Sequence, residues 1–218
     1  MTSTAFPEET GHAALMNRNY RYQRHVYDLT RRHYLLGRDH LLEHLNPPPR
    51  GHVLEIACGT GRNLALVARA HPETCLYGLD ISSEMLVSAR KRLGTRVQLA
   101  EADACAFDAG PLFGTARFDR IILSYSLSMI PDWRRALARA ADHLKPGGEL
   151  HFVDFGEQDR LPRWFRSGLR GWLARFHVEP RADLPAALKV QAAETGGTAV
   201  WNSLYRGYAQ HGILIRAR

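Results

Sequence analysis

The chain is poor in cysteine and has no long apolar run. Its three cysteines, Cys58, Cys75 and Cys105, are an odd number without metal-ligand spacing. That excludes a simple disulfide framework, gives no metal site, and points to a cytoplasmic protein. No stretch approaches the roughly 18 apolar residues that a membrane-crossing helix needs. Residues 1–16 include Glu8 and Glu9 but no apolar core, so no secretory leader is expected. Internal repeats and low-complexity segments are also missing. What is present is ordinary for a single globular domain: 218 residues, 45% hydrophobic and 23% charged. The balance is basic, with 29 Lys and Arg against 22 Asp and Glu and a formal net charge of +7. Such a surface attracts nucleic acid or an anionic membrane, or simply aids solubility.

Along the chain, residues 1–13 read as a loose tail and residues 16–45 as helix, stopped by Asn46-Pro47-Pro48-Pro49-Arg50-Gly51. Short apolar strands are then expected at 52–57, 75–79, 96–100, 118–124 and 149–154. Helices are expected at 64–70, 83–93 and 133–144. Strands alternating with helices mean βαβ units around a parallel sheet. Two further helices, at 160–176 and 183–194, precede two strands at 199–205 and 209–216, a terminal antiparallel hairpin. The expected layout is one domain. It comprises an N-terminal helical cap (1–46), a core (47–156), a helical insert or lid (157–197) and the hairpin (198–218).

The most informative stretch runs from Val53 to Leu64, where a strand enters Cys58-Gly59-Thr60-Gly61 and then a helix. Gly-x-Gly lets the backbone turn tightly and lets a ligand approach the main chain. A dinucleotide loop prefers a third glycine where Leu64 stands. Glu55 inside the strand suits a ligand carrying positive charge better than a phosphate. Asp80 closes the second strand, where a carboxylate can take both hydroxyls of a ribose. Asp103 follows the third strand and can accept from an adenine amino group, while Met85 can pack on the adenine face. Ile81 and Ala104 flank these positions. Each acid alone reads equally well as a helix N-cap; together, at successive strand ends, they point to one nucleoside site.

This constellation resembles the class I S-adenosylmethionine-dependent methyltransferases, as does Leu144-Lys145-Pro146-Gly147-Gly148 before the fifth strand. The resemblance implies an α/β, Rossmann-like fold with a seven-stranded, mostly parallel sheet whose last strand is antiparallel. It implies S-adenosylmethionine as cofactor and S-adenosylhomocysteine as product. Gly59 and Gly61 would border the methionine part, Asp80 the ribose and Asp103 the adenine. Ser124 and Tyr125 would lie near the transferred methyl. An N-terminal helix often closes over the donor in this superfamily, which makes Tyr20, Tyr27 and Arg38 candidates for the donor carboxylate.

On the acceptor side, no catalytic dyad is visible. Tyrosine faces attract ammonium groups; the aromatics on offer are Tyr20, Tyr22, Tyr27, Tyr34, Tyr125, Trp201, Tyr205 and Tyr208, with Tyr27, Tyr125 and Tyr205 singled out, although any single one is more often core. Tyr20, Tyr27 and Tyr34 recur every seven residues and share one helix face. Residues 160–176 place Leu161, Trp164, Phe165, Leu169, Trp172, Leu173 and Phe176 on one face. Arg160, Arg163, Arg166, Arg170 and Arg175 are interspersed. That is the pattern of an interfacial membrane helix, or of a lid packed on the sheet.

Tyr20-Arg21-Tyr22-Gln23-Arg24-His25-Val26-Tyr27 with its continuation to Asp39, and Ser203-Leu204-Tyr205-Arg206-Gly207-Tyr208-Ala209, resemble the bacterial betaine-lipid N-methyltransferases. The resemblance implies threefold methylation of the amine of diacylglyceryl-homoserine at the inner face of the membrane, beside the enzyme that makes this lipid. Arg206 or Arg24 would hold the substrate carboxylate. Rival acceptors are another lipid headgroup such as phosphatidylethanolamine, or a small molecule. Nucleic acid is not expected: no appended RNA-binding module is visible, and Ser124-Tyr125-Ser126-Leu127 stands where an Asn-Pro-Pro-Tyr-type motif would.

Overall fold

The computed structural model describes residues 34–218. Its elements follow the alternation of apolar strands and amphipathic helices. After α1 (Arg38–His44) come β1 (His52–Ile56), α2 (Arg62–Ala70), β2 (Cys75–Asp80), α3 (Ser83–Leu93) and β3 (Val97–Glu101). Then follow α4 (Ala109–Phe113), β4 (Phe118–Ser124), α5 (Trp133–Asp142) and β5 (Leu144–Phe155). The chain closes with α6 (Arg163–Ala174), α7 (Leu184–Glu194), β6 (Thr198–Leu204) and β7 (Ala209–Ile215).

One seven-stranded sheet has the order β3-β2-β1-β4-β5-β7-β6. The first five strands pair in parallel, and β7 runs antiparallel to both β5 and β6. The expected α/β, Rossmann-like architecture with a reversed last strand is therefore present. Strand order reverses between β1 and β4, which opens a crevice at their carboxyl ends, the usual ligand position in such sheets. Both sheet faces are covered. Leu54, Ile56, Phe118 and Phe152 belong to one buried cluster, and Val53, Leu64, Ile122 and Val153 to the other. Each such side chain contributes about 1.5–3 kcal/mol by leaving water.

Several boundaries differ from the sequence expectation. Only Tyr34 onward of the expected 16–45 helix lies in the described residues, and there the helix is broken. It stops at Tyr34 and restarts at Arg38. Gly37 has φ +93°, a conformation that no continuous right-handed helix contains. The helix expected to reach Leu144 ends at Asp142, and β5 begins at Leu144. Lys145-Pro146-Gly147-Gly148 is absorbed as an irregularity, since the register jumps from Phe118↔Leu144 to Arg120↔Glu149. The one-turn helix α4 was not legible, being five residues with Pro111 inside. Helix α6 starts at Arg163, behind Pro162.

Candidate cofactor site

The glycine loop is built by left-handed backbone at three places: Ala57 (φ +55°), Gly59 (φ +55°) and Gly61 (φ +74°). The two glycines do different work. A Cβ on Gly61 would stand 2.5 Å from Leu93 Cδ1, so its smallness lets α3 pack against the loop. A Cβ on Gly59 would meet nothing within 4 Å; the space it leaves open faces no protein atom. The loop is braced from α3 by Arg92 Nη1, which donates to Thr60 O (2.8 Å) and Thr60 Oγ1 (2.6 Å).

Asp80 is buried and joins two loops. Its Oδ2 accepts from Gly59 N–H (2.8 Å) and its Oδ1 from Ser82 N–H (2.9 Å). It is not the N-cap of α3; Ser82 fills that role, accepting from Met85 N–H. A carboxylate at this strand end is also an acceptor of the kind that ribose hydroxyls need. Asp103 does act as a local cap, its Oδ1 accepting from Cys105 N–H at 2.9 Å.

Two cavities meet at Ala57. The larger, about 320 Å³, is lined by Leu79, Ile81, Asp103, Ala104, Ile130 and Pro131 among others. It is a mainly apolar slot with the carboxylates of Asp103 and Asp132 and the guanidinium of Arg135 at its wall, suited to a nucleoside base. The smaller, about 60 Å³, is lined by Arg38, Glu55, Gly59, Asn63, Met85 and Ser124 among others. Met85 thus lies at the glycine-loop end and does not line the slot beside Asp103, the adenine face proposed for it from sequence. Ile81, Ile130 and Pro131 supply the apolar surface there.

Glu55 is the most perturbed acid of the site. Burial raises its pKa to about 8, against the opposing bond from Asn63. Asn63 Nδ2 donates to Glu55 Oε1 at 2.7 Å, while Glu55 Oε2 and Ser124 Oγ are buried without a hydrogen-bond partner. Arg38 lies close enough to pull the Glu55 pKa downward. A carboxyl group with an unused oxygen, which a cation would drive to its charged form, and a guanidinium together match the ammonium and carboxylate of a methionine moiety. The open space at Gly59 and the slot beside Asp103 match the rest of S-adenosylmethionine.

Other sequence candidates lie elsewhere. Tyr20 and Tyr27, like Arg24, fall outside the described residues. Tyr125 lines neither cavity. Its left-handed backbone (φ +54°) turns the ring into the core, 4.7 Å edge-on to Phe155, and its hydroxyl donates to Leu36 O. The structure therefore gives Tyr125 a buried, packed position rather than one open to the transferred methyl. Tyr205 and Arg206 are exposed on the turn between β6 and β7. The Tyr205 ring lies beside Gly37, whose added Cβ would stand 3.6 Å from Tyr205 Cε2.

Sequence reasoning missed Asn63, which orients Glu55. It counted Tyr208 among the aromatics for an ammonium and missed its position, where the hydroxyl donates to Tyr34 O at 2.8 Å. Asn63 carried a signal, since it sits in the first turn of the helix that the glycine loop enters. The contact of Tyr208 carried none, because its partner is 174 residues away.

The seven aromatic and aliphatic positions of residues 160–176 do not form one face. Leu173 is buried, and Leu161, Leu169 and Trp172 pack on the core. Trp164 is 77% exposed, Phe165 38% and Phe176 36%. Among the described residues no helix is long and apolar enough to cross a membrane, and no cluster of His, Cys, Asp and Glu could hold a metal ion.

Residues 53–148 match the family of methyltransferase domains. An O-methyltransferase of Pyrenophora dematioidea is 30% identical over 157 residues, covering 72% of this chain and 57% of that protein. An O-methyltransferase family protein of Burkholderia thailandensis aligns with a TM-score of 0.65 and 24% identity, over 84% of this chain and 56% of that one. The plantazolicin methyltransferase BpumL, solved with a triazolic desmethylPZN analog and SAH, aligns with a TM-score of 0.70 and 15% identity, over 96% and 97%. The chain spans between about a third and somewhat over half the length of the curated relatives it matches, 35% to 57%. Fold and domain match liken this chain to methyltransferases, and the two joined cavities have the shape that a nucleoside with an amino-acid tail would fill.

Proposed function

We propose that the chain is an N-methyltransferase that methylates the amine of diacylglyceryl-homoserine three times, forming the betaine lipid diacylglyceryl-trimethylhomoserine. The observation that carries a lipid acceptor is α6. It leaves the carboxyl end of β5, on the edge where the donor crevice opens, and turns Trp164 and Phe165 outward among the exposed Arg160, Arg163 and Arg170. Exposed aromatic residues beside guanidinium groups suit the boundary of an anionic bilayer. The sequence resemblance carries the headgroup, through the turn that displays Tyr205 and Arg206. In this reading the chain works on the cytoplasmic face of the membrane, next to the enzyme that supplies diacylglyceryl-homoserine.

When bound, S-adenosylmethionine supplies an electrophilic methyl on a sulfonium centre. The protein's own task is positional: to hold the amine lone pair in line and to exclude water. Asp80, Asp103 and Glu55 with Arg38 hold the donor along the crevice, and Ser124 borders its methionine end. The amine arrives neutral, so its proton leaves to solvent between rounds and no dedicated base is required. A tyrosine face at the mouth, Tyr205 or Tyr27, would favour the product's quaternary nitrogen, and Arg206 or Arg24 its carboxylate.

The relatives described above include O-methyltransferases, so an oxygen acceptor on a small molecule is the second reading. Mass spectrometry of lipids from cells given this chain and a source of diacylglyceryl-homoserine decides between them. Mono-, di- and trimethylated species that depend on the chain support the lipid reading. Unmodified lipid, with S-adenosylhomocysteine binding intact, removes it and turns the search to other amines and to hydroxyl acceptors.

A further inference from the structure

Residues 34–37 form a strap between the broken helix ends, and α1 carries Arg38 directly after it. The strap is held by two phenols from opposite parts of the chain. Tyr125, at the end of β4, donates to Leu36 O, and Tyr208, at the start of β7, donates to Tyr34 O. Both rings are buried, with 3% and 7% exposure. Burial pushes the Tyr125 phenol well above its ordinary range and that of Tyr208 to about 12, so both remain protonated donors. Tyr125 adopts its left-handed backbone to do this, a conformation that costs a non-glycine residue about 1–2 kcal/mol. A strained residue that is neither in the cavity nor dispensable to the strap asks for a reason.

We infer that Tyr125 and Tyr208 are positioning residues for donor binding: they fix the strap so that Arg38 stands at the methionine end of the crevice. The inference rests on the donor site described above. Arg38 is two and four residues from the anchored carbonyls of Leu36 and Tyr34, so its placement follows theirs. The bare ring of phenylalanine fills the same space but cannot hold the carbonyl. The strap then gains freedom while the slot beside Asp103, built from β2, β3 and the loop after β4, is untouched. The phenols should therefore matter for the amino-acid half of the donor and not for its nucleoside half.

The test compares two probes on the full chain by calorimetry: S-adenosylhomocysteine, which has the amino-acid part, and 5′-methylthioadenosine, which lacks it. Arg38→Met is expected to weaken S-adenosylhomocysteine by more than tenfold and methylthioadenosine by less than twofold. Tyr125→Phe and Tyr208→Phe should each weaken S-adenosylhomocysteine about three- to tenfold, the range of one neutral hydrogen bond, and leave methylthioadenosine within twofold. In the Arg38→Met background neither tyrosine change should weaken S-adenosylhomocysteine further. A purely structural role would lower both probes together, and full additivity with Arg38→Met would mean the phenols act elsewhere; either result overturns the inference. So does unchanged S-adenosylhomocysteine affinity in Arg38→Met. If Tyr125→Phe does not fold, Tyr208→Phe decides alone. Failure of the wild type to bind either probe would instead remove the donor site on which the inference stands.

Discussion

The two walls of the crevice are made in different ways. The donor wall, from β1 through β3 with its loops, is stitched by bonds within one βα unit or between neighbouring ones. Asp80 reaches Gly59, Asn63 reaches Glu55, and Asp103 reaches Cys105. The opposite wall, formed by the strap, α1 and the β6–β7 turn, is assembled from residues far apart in the chain. Tyr208 and Tyr34 are 174 residues apart, and Tyr125 and Leu36 are 89. Beneath α1 the contact is unusual: His40 and His44 meet His211 with ring centroids 5.0 and 6.0 Å apart, and His151 lies 6.0 Å from His211. A locally stitched wall is rigid and suits a fixed cofactor. A wall of long-range polar contacts depends on a few single bonds, and it carries Arg38 to the methionine end of the crevice.

Changes that separate the two walls sharpen this contrast. Asp80→Ala removes the acceptor for both Gly59 and Ser82 amides and the ribose partner, each a charge-assisted bond of about 1.5–3 kcal/mol. S-adenosylhomocysteine affinity is expected to fall by about two orders of magnitude or more in calorimetry; unchanged affinity would sink the ribose assignment.

Next in size is the pair of glycines. Gly61→Ala forces a Cβ against Leu93 at positive φ and should cost about 2–3 kcal/mol in denaturant unfolding. Gly59→Ala meets no protein atom; it should cost about 1 kcal/mol in the same assay yet impair donor binding. Equal effects on folding would mean that the open space at Gly59 has no ligand role.

Glu55 gives a pH signature on the donor wall. With a pKa of about 8, it is mostly protonated at neutral pH, whereas an ammonium partner favours the carboxylate. Donor affinity should then rise up to about tenfold per pH unit below 8 and flatten above it. Glu55→Gln should abolish the slope, and a slope that survives would refute the pairing.

The opposite wall should respond in the acid direction through its histidines. His211 is buried, and burial followed by the charges of His151, His40 and His44 lowers its pKa to about 3 from 6.5. His151 is likewise lowered, with Glu149 at 2.9 Å opposing the shift and Arg120 bound to that same Glu149. The unfolded chain therefore binds more protons than the folded one between pH 6.5 and about 3. Stability contributed by a neutral His211 is complete above 6.5 and is lost as pH falls below it, by at most about 1.4 kcal/mol per unit. Thermal unfolding from pH 7.5 to 5 should show this decline, and His211→Gln should flatten it.

The smallest effect concerns α6. Serine at Trp164 and Phe165 should reduce sedimentation with anionic vesicles a few-fold without lowering Tm, because both are exposed. Unchanged sedimentation would leave α6 a lid. Trp172 is spared in this test because it packs edge-on against Tyr34, 4.7 Å between centroids.

Much of the donor wall was legible because its information is local. Gly59, Asp80 and Asp103 follow strands whose apolar runs are visible, and strand ends in a parallel sheet share one edge. Met85 was harder: its distance from the glycine loop along the chain does not say which cavity it reaches, since α3 turns it toward the loop. Tyr125 looked like an active-site residue by position, and only its positive φ and its bond to Leu36 show that the ring goes into the core. The break at Gly37 was hidden because a single glycine in a polar helix is tolerated.

By itself, the sequence determined the alternation of strands and helices, the glycine loop, and the acids that follow it. These arise from residues within a turn or two of one another, where periodicity and backbone sterics act. The tertiary structure alone decided which side of the sheet each tyrosine faces, that four histidines gather under α1, and which aromatics of α6 remain outside. Those outcomes depend on strand order and on contacts between residues tens to hundreds of positions apart, whose partners exist only once the sheet has closed.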